Sequence, residues 1–147
     1  MLFKRISRGS AETVFVVCKN VSGSTVTAGY HVVWDVGASA DGVRVTQADA
    51  ADLNAYAGIA DSDIANNAFG LIQVYGYRSS AFIFTSLGTS APGVTYDVIN
   101  SNWGVTPTAA DASSATNKAF GFMCATVVSS TTSSQYDTTA AVFVRAL

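Results

Sequence analysis

Short apolar runs rich in Val, Ile, Phe and Tyr recur along the chain, separated by clusters of Gly, Ser, Asn, Asp and Thr. This pattern is typical of an all-β protein, because turn-forming residues either adopt positive φ or hydrogen-bond the local backbone where strands end. The runs predict strands over residues 13–21, 30–36, 43–46, 55–60, 70–77, 81–85, 96–99, 119–127 and 141–145. Turn-rich breaks fall at residues 21–25, 37–42, 88–93 and 129–134.

Two of these runs differ in how their apolar residues are distributed. Residues 43–46 alternate between apolar and polar, as a half-buried strand does. Residues 14–18 are apolar on both faces. In an antiparallel protein of this size, such a strand lies either inside a sandwich or on a surface that another chain covers.

Helical signals are weak. Thr106 and Pro107 favour the start of a short helix, with the threonine as cap and the proline in the first turn. Residues 48–56 fit either a helix or a loop that enters a strand. We therefore predict at most one or two short helices.

The chain has 147 residues, of which 49% are hydrophobic and 12% are charged. This length suits one domain that buries a core without disulfides or a structural metal. We predict an extended N-terminal arm over residues 1–12, followed over residues 13–147 by a single compact β-barrel or β-sandwich.

Charge is unevenly distributed along the chain. Residues 1–19 carry four basic residues against Glu12, a balance of +3, and the remainder carries four basic residues against nine aspartates, a balance of −5. The net charge of −2 disfavours a nucleic-acid partner. The sequence has neither an apolar run of about 18 residues nor a secretory signal, so we expect no membrane partner and synthesis in the cytoplasm.

Catalytic groups are scarce. His31 is the sole histidine, and on a strand it shares a face with Asp35, but the chain lacks a Gly-x-Ser-x-Gly elbow. We interpret His31 as a strand or interface residue that hydrogen-bonds locally. With Glu12 as the sole glutamate, no paired-carboxylate signature is present either. We therefore expect no enzymatic activity, no catalytic residues and no cofactor.

Other candidate motifs favour structural roles. Asp61, Asp63, Asn66 and Asn67 offer oxygen ligands in one loop but depart from the EF-hand pattern, so turn formation is favoured over a metal site. Four aromatic residues alternate along two predicted strands and favour core or subunit-interface packing: Tyr75, Tyr77, Phe82 and Phe84. Cys18 and Cys124 lie in apolar runs, so we interpret both as buried free thiols. Their spacing does not decide whether a disulfide joins them.

Residues 16–30, 32–35 and 58–76 contain an Asn–turn–Ala-Gly–strand pattern and a Gly-Ile-Ala…Gly-Leu-Ile-Gln-Val-x-Gly pattern, and residues 142–147 are of the same style. Together these stretches resemble small head proteins of tailed bacteriophages. That group comprises decoration or cement proteins, including the lambda-type head-decoration group and related small virion proteins. The resemblance covers about the first half of the chain, and the Ser/Thr-rich half after Pro92 departs from it.

The resemblance implies a non-enzymatic virion structural protein on the outer surface of an icosahedral head. Its expected partners are the major capsid protein and further copies of itself, with a homotrimer favoured over a dimer. The apolar and basic residues of the arm are the expected interface with capsid or protomer: Leu2, Phe3, Lys4, Arg5, Ile6 and Arg8. The alternative is a receptor- or glycan-binding head fibre or adhesin module, for which Trp103 with Asn100 and Asn102 is the candidate site.

Overall fold

A computed structural model describes residues 12–37, 41–85, 89–107, 120–124, 127–128 and 136–146. The strands are β1 (Val14–Asn20), β2 (His31–Trp34), β3 (Arg44–Thr46), β4 (Tyr56–Ala60), β5 (Phe69–Thr85), β6 (Thr89–Ser90), β7 (Tyr96–Val98), β8 (Val105–Pro107), β9 (Gly121–Met123), β10 (Val127–Val128) and β11 (Tyr136–Arg145). Within this part of the chain no helix occurs, so the predicted all-β class is confirmed.

The N-terminal strands close into a barrel, one of the two predicted architectures. Neighbours follow the order β1-β3-β2-β4-β5, and β5 pairs again with β1. The β1–β3 pair is parallel, whereas the other pairs of the ring are antiparallel. The ladders of the ring differ in length: among the described residues β1 pairs with β3 at Lys19 and Asn20, and with β5 from Val14 to Lys19.

Side chains that alternate along these strands fill the barrel. Cys18, Val32 and Val45 point inwards from β1, β2 and β3, and each is fully buried. Small and β-branched residues suit a narrow interior, because they pack without leaving voids. The barrel core contains Cys18, Val26, Val32, Val45, Ala57, Ala60, Ile64, Ile72 and Val74.

A second core lies against the outside of β2 and β4. Val33 and Ile59 point away from the barrel interior and pack with residues from the distal half of β5 and from β7, β8, β9 and β11. In this layer β11 pairs with β5 and β9, and β8 joins β5 to β7. Its buried members are Val33, Ala48, Tyr56, Ile59, Ala81, Ile83, Tyr96, Val98, Val105, Met123, Ala140, Val142 and Val144.

Strand β5 links the two cores. It runs for 17 residues, so the strands predicted over 70–77 and 81–85 are one strand. The polar Arg78-Ser79-Ser80 segment between them stays extended, and a bulge between Ala140 and Val142 of β11 absorbs the irregular register.

Neither predicted helix start is confirmed. Residues 50–54 form a turn, in which Asp49 Oδ1 accepts from the Ala51 N–H and Asp52 Oδ1 accepts from the Asp49 N–H. Such aspartates compete with helical hydrogen bonding, and the loop interpretation of residues 48–56 is the one observed. Thr106 and Pro107 end strand β8, where they pair with Asp97 and Tyr96.

Candidate interaction surface

Four apolar side chains on β1 and β5 face outwards from the barrel. In the β1–β5 ladder, Val17 lies directly opposite Leu71. Phe15 lies two residues before Val17 on β1, opposite Gln73, and Phe69 of β5 lies opposite Lys19. Val17 and Phe69 are each 63% exposed, and Leu71 and Phe15 are also exposed. We call Phe15, Val17, Phe69 and Leu71 the barrel patch.

Strand periodicity explains why these residues are exposed. Cys18 occupies the intervening position on β1 and is fully buried, so Val17 and Lys19 must point to the opposite face. The β1 run that is apolar on both faces therefore has one face in the barrel core and the other on the surface. Contiguous exposed apolar side chains of this kind mark interaction surfaces in proteins.

Further along β5, an aromatic row crosses three strands. Tyr77 of β5 lies opposite Phe143 of β11, which lies opposite Phe122 of β9. The Phe122 and Phe143 rings stack with centroids 5.0 Å apart, and Tyr75 meets Phe143 edge-on at 5.2 Å. Tyr77 and Phe122 remain exposed, so the row of Tyr77, Phe143 and Phe122 adds a second apolar surface along β5.

Charged residues border the barrel patch. Lys19 lies at one end, opposite Phe69, and the Asp61 N–H donates to the Leu71 carbonyl at 3.0 Å. The Asp61 carboxylate pairs with Arg78, whose Nη1 lies 2.6 Å from Oδ1. An apolar centre with a charged border is the usual anatomy of a protein interface.

Side chains of the loop over residues 61–67 hydrogen-bond the backbone of neighbouring turns. Asp63 Oδ1 accepts from the Ala28 N–H at 2.8 Å, and Asn66 Oδ1 accepts from the Gly23 N–H at 3.1 Å. Asn67 adopts a φ of 65°, which suits its place in a tight turn. Among the described residues, no group of three or more His, Cys, Asp or Glu side chains is placed to hold a metal ion.

His31 lies in the interior of the molecule. Its Nδ1 is 2.8 Å from the Tyr56 hydroxyl oxygen, whereas Asp35 pairs with Arg44. The structure thus does not join His31 and Asp35 in the arrangement that their shared strand face allowed. Burial lowers the pKa of His31 from 6.5 to about 3, and a backbone contact with Phe82 opposes the shift in part. The ring is therefore neutral at physiological pH.

The alternative site around Trp103 forms part of a half-buried aromatic cluster. Trp103 stacks on Tyr30 with ring centroids 5.4 Å apart, and Tyr30 contacts Phe82 at 5.0 Å. Asn102 Oδ1 accepts from the Gly104 N–H at 2.7 Å, and the exposed Asn100 accepts from the Ser101 hydroxyl at 3.1 Å. One side of the Trp103 ring is consequently occupied by Tyr30.

The two cysteines are free thiols. Cys18 is buried in the barrel core, where burial raises its pKa to about 11, and Cys124 is half-buried. A raised pKa keeps a thiol protonated and unreactive near neutral pH.

The interface residues predicted in the arm lie outside the described residues: Leu2, Phe3, Lys4, Arg5, Ile6 and Arg8. Sequence reasoning placed residues 14–18 either inside a sandwich or on a covered surface, but it did not join them with Phe69 and Leu71 in one patch. Its signal was present in the residues 14–18 run and in the alternation of Phe69 and Leu71 with glycine and isoleucine.

No described segment is a helix of the length and apolarity needed to cross a membrane. Comparison of the chain with protein-family models, curated proteins and solved structures found no match.

Proposed function

We propose that this protein is a non-enzymatic structural component of a tailed-phage virion. It binds the outer surface of the icosahedral head and cements neighbouring major capsid subunits. The observation that carries the proposal is the barrel patch, an apolar surface on a closed barrel with Val17 and Phe69 each 63% exposed. The sequence resemblance to head-decoration proteins supplies the class of partner.

The barrel patch suits attachment through a sheet face. The outer face of the barrel carries the exposed side chains of the barrel patch, which can contact a partner directly. Specific interfaces bury about 1,600 Å² in total, with an apolar centre inside a polar border. On a shell, modest contacts suffice because each cemented edge is held at several points.

The N-terminal arm supplies the second contact. Lys4, Arg5 and Arg8 meet acidic surface on the shell or on a neighbouring cement protomer, and Leu2, Phe3 and Ile6 add apolar contact. Assembly as a homotrimer, favoured over a dimer, places one arm at each of three neighbouring capsid subunits.

The test measures binding of the purified chain to expanded heads and to precursor shells. We expect binding to expanded heads, and we expect a Val17→Thr/Phe69→Thr variant to bind about tenfold or more weakly, because it removes apolar contact from the interface centre. Val36→Thr is the matched control, since Val36 is also exposed but lies outside the barrel patch. Equal binding by the patch variant and the control would contradict the role of the patch.

A second candidate function is a receptor- or glycan-binding module of a head fibre. The observation that favours it is the stack of Tyr30 and Trp103 beside the exposed Asn100. In that case Trp103→Ala would abolish binding on a glycan array, whereas Val17→Thr/Phe69→Thr would leave it unchanged.

A further inference from the structure

The first half of β1 has a strand neighbour on one side only. β5 pairs with β1 from Val14 to Lys19, whereas β3 pairs with it at Lys19 and Asn20. Within the described part of the chain, no strand pairs with residues 14–17 on the side that faces away from β5, which we call the open edge. We propose that an extended segment of a capsid subunit adds to the open edge as a further strand. This inference rests on the proposed function and names the backbone contact through which the shell is held.

The backbone groups of Phe15 and Val17 point to the open edge. The Lys19 N–H donates to the Val43 carbonyl, just before β3, and the Asn20 N–H donates to the opposite side, to the chain just before β5, both at 2.9 Å. Because the backbone groups of successive strand residues alternate in direction, those of Val17 and Phe15 point the same way as those of Lys19. Among the described residues, their two N–H donors and two carbonyl acceptors have no partner.

This arrangement selects an extended chain as the occupant. A row of unpaired backbone donors and acceptors is satisfied by another strand, and the added hydrogen bonds give affinity without demanding particular side chains. Edge strands are commonly protected from such pairing by charged residues or proline. Residues 14–17 read Val-Phe-Val-Val and contain neither. The open edge therefore keeps its capacity to pair.

The barrel patch adds selectivity for side chains. Phe15 and Val17 belong both to the open edge and to the patch, and the exposed Val43 lies at the end of the edge. An added strand places every second side chain on the outer face, beside Phe15 and Val17. The open edge is about 13 Å long. It therefore suits a segment of about four residues with apolar side chains at positions two apart.

Val43 limits which chains fit the open edge. It stands one residue before the first pair of β3 with β1, so it blocks the edge beyond Val17. In a two-fold antiparallel pairing of two β1 strands that joins Phe15 to Val17, Val14 of the second copy would fall where Val43 lies, and a register shifted by two residues would bring Glu12 there. The occupant must turn away at Val17, which β1 of a second copy does not do. A segment of another chain is the occupant that fits.

A proline substitution tests this contact in the full-length chain. Val17→Pro removes the N–H that points to the open edge, and Val17→Ala is the matched control, because it loses the same side chain but keeps the N–H. Proline is tolerated in an edge strand where the missing N–H faces away from the paired strand. We expect Val17→Pro to bind expanded heads about tenfold or more weakly than Val17→Ala, since the partner carbonyl loses its donor. Equal binding by the two variants would overturn the inference.

Amide hydrogen exchange of the natural chain needs no substitution. In the free protein, the amides of Phe15 and Val17 should exchange at least about tenfold faster than those of Val16 and Cys18, which point towards β5. On heads saturated with the protein, exchange in a peptide over residues 13–18 should become slower, measured by mass spectrometry. Unchanged exchange on heads would overturn the inference. Protection of Phe15 and Val17 in the free protein would also do so, and protection that grows with concentration would assign the edge to a second copy.

The failure of this inference differs from the failure of the proposed function. If the natural chain binds expanded heads and Val17→Pro binds as well as Val17→Ala, the proposed function stands and the added strand is overturned. If the natural chain binds neither expanded heads nor precursor shells, the proposed function is overturned and this inference with it.

Discussion

His31 and Tyr56 form a buried polar pair inside the second core, with the imidazole Nδ1 2.8 Å from the phenol oxygen. Tyr56 also contacts Tyr96, and burial raises the pKa values of both phenols. All three groups are thus neutral near physiological pH. Among the described residues the Nε2 atom of His31 has no hydrogen-bond partner, but a neutral ring costs far less to bury than a charged one.

Acid should destabilise the protein through His31. Because the folded pKa is about 3 and the unfolded value is 6.5, the unfolded chain binds the proton first. The contribution of the neutral His31 ring to the free energy of unfolding is fully present above about pH 6.5. It is lost progressively as the pH falls towards 3. Between pH 7 and pH 4.5 the natural chain should lose about 2–3 kcal/mol more than His31→Gln, measured by urea unfolding.

Carboxylates contribute equally to the pH dependence of stability in the natural chain and in His31→Gln, so their effect cancels in the comparison. They include Asp41, whose pKa is lowered chiefly by the Val43 N–H. In the native natural chain, the single imidazole signal in proton NMR should not titrate between pH 8 and about pH 4. A midpoint near 6.5 in that signal would contradict the assignment of a buried neutral ring.

Gly58 should tolerate no side chain. It has a φ of 141°, and an added Cβ would collide with the Gln73 carbonyl oxygen and Ile72 of the paired strand β5. We expect Gly58→Ala to reduce the free energy of unfolding by more than about 3 kcal/mol, since steric collision adds to backbone strain. Gly23→Ala is the control, because Gly23 also has positive φ but meets open space, and it should cost about 1 kcal/mol. Equal losses would show that conformation alone matters at Gly58.

Strand β5 should make the two cores unfold together. Ile72 of β5 lies in the barrel core and Ile83 of the same strand lies in the second core. Trp34 and Trp103 pack against the barrel core, so their fluorescence reports on that half of the molecule. We expect Ile83→Ala to lower the midpoint of the tryptophan transition as well as that of circular dichroism, at a cost of about 2–5 kcal/mol.

Leu71→Ala is the control for this prediction, because Leu71 is an exposed residue of the same strand and should have a much smaller effect. If the tryptophan transition of Ile83→Ala stayed at the position of the natural chain while circular dichroism shifted, the cores would be independent.

Strands that combine apolar residues with clear turn signals were predictable from the sequence. The segments 14–20, 31–34, 44–46 and 56–60 all fall within predicted runs. The first half of β11 was not predicted, because Thr138 and Thr139 lie in a polar stretch, and β8 was not, because it is short and ends in proline. In β11, pairing with the distant strand β5 outweighs local preference, whereas β8 is paired mainly with the preceding strand β7.

The exposed face of β1 was not predictable from periodicity. Alternation shows that Val17 and Cys18 point in opposite directions, but both are apolar, so the pattern does not say which one faces inwards. The registers with β3 and β5 determine that Cys18 enters the barrel. The barrel patch therefore depends on long-range pairing and emerges only in the folded structure.

For the molecule as a whole, the opposed charges of arm and body predict a salt-sensitive attachment. If Lys4, Arg5 and Arg8 meet acidic surface on the shell, occupancy of heads should fall as ionic strength rises from about 0.01 M to 0.15 M, because the screening length shortens from about 30 Å to 8 Å. A chain that lacks residues 1–12 should bind more weakly at low salt and show a flatter salt dependence. If the two chains showed the same dependence of binding on salt, the arm would not contribute to the contact with the shell.

Closure of the barrel also makes the barrel patch dependent on complete synthesis of the N-terminal half. Val17 and Leu71 are neighbours only because β1 pairs with β5, which lies some 50 residues later in the chain. A nascent or partly folded molecule possesses the two halves of this surface but never side by side. The barrel patch is thus present only in molecules in which β1 and β5 have already paired.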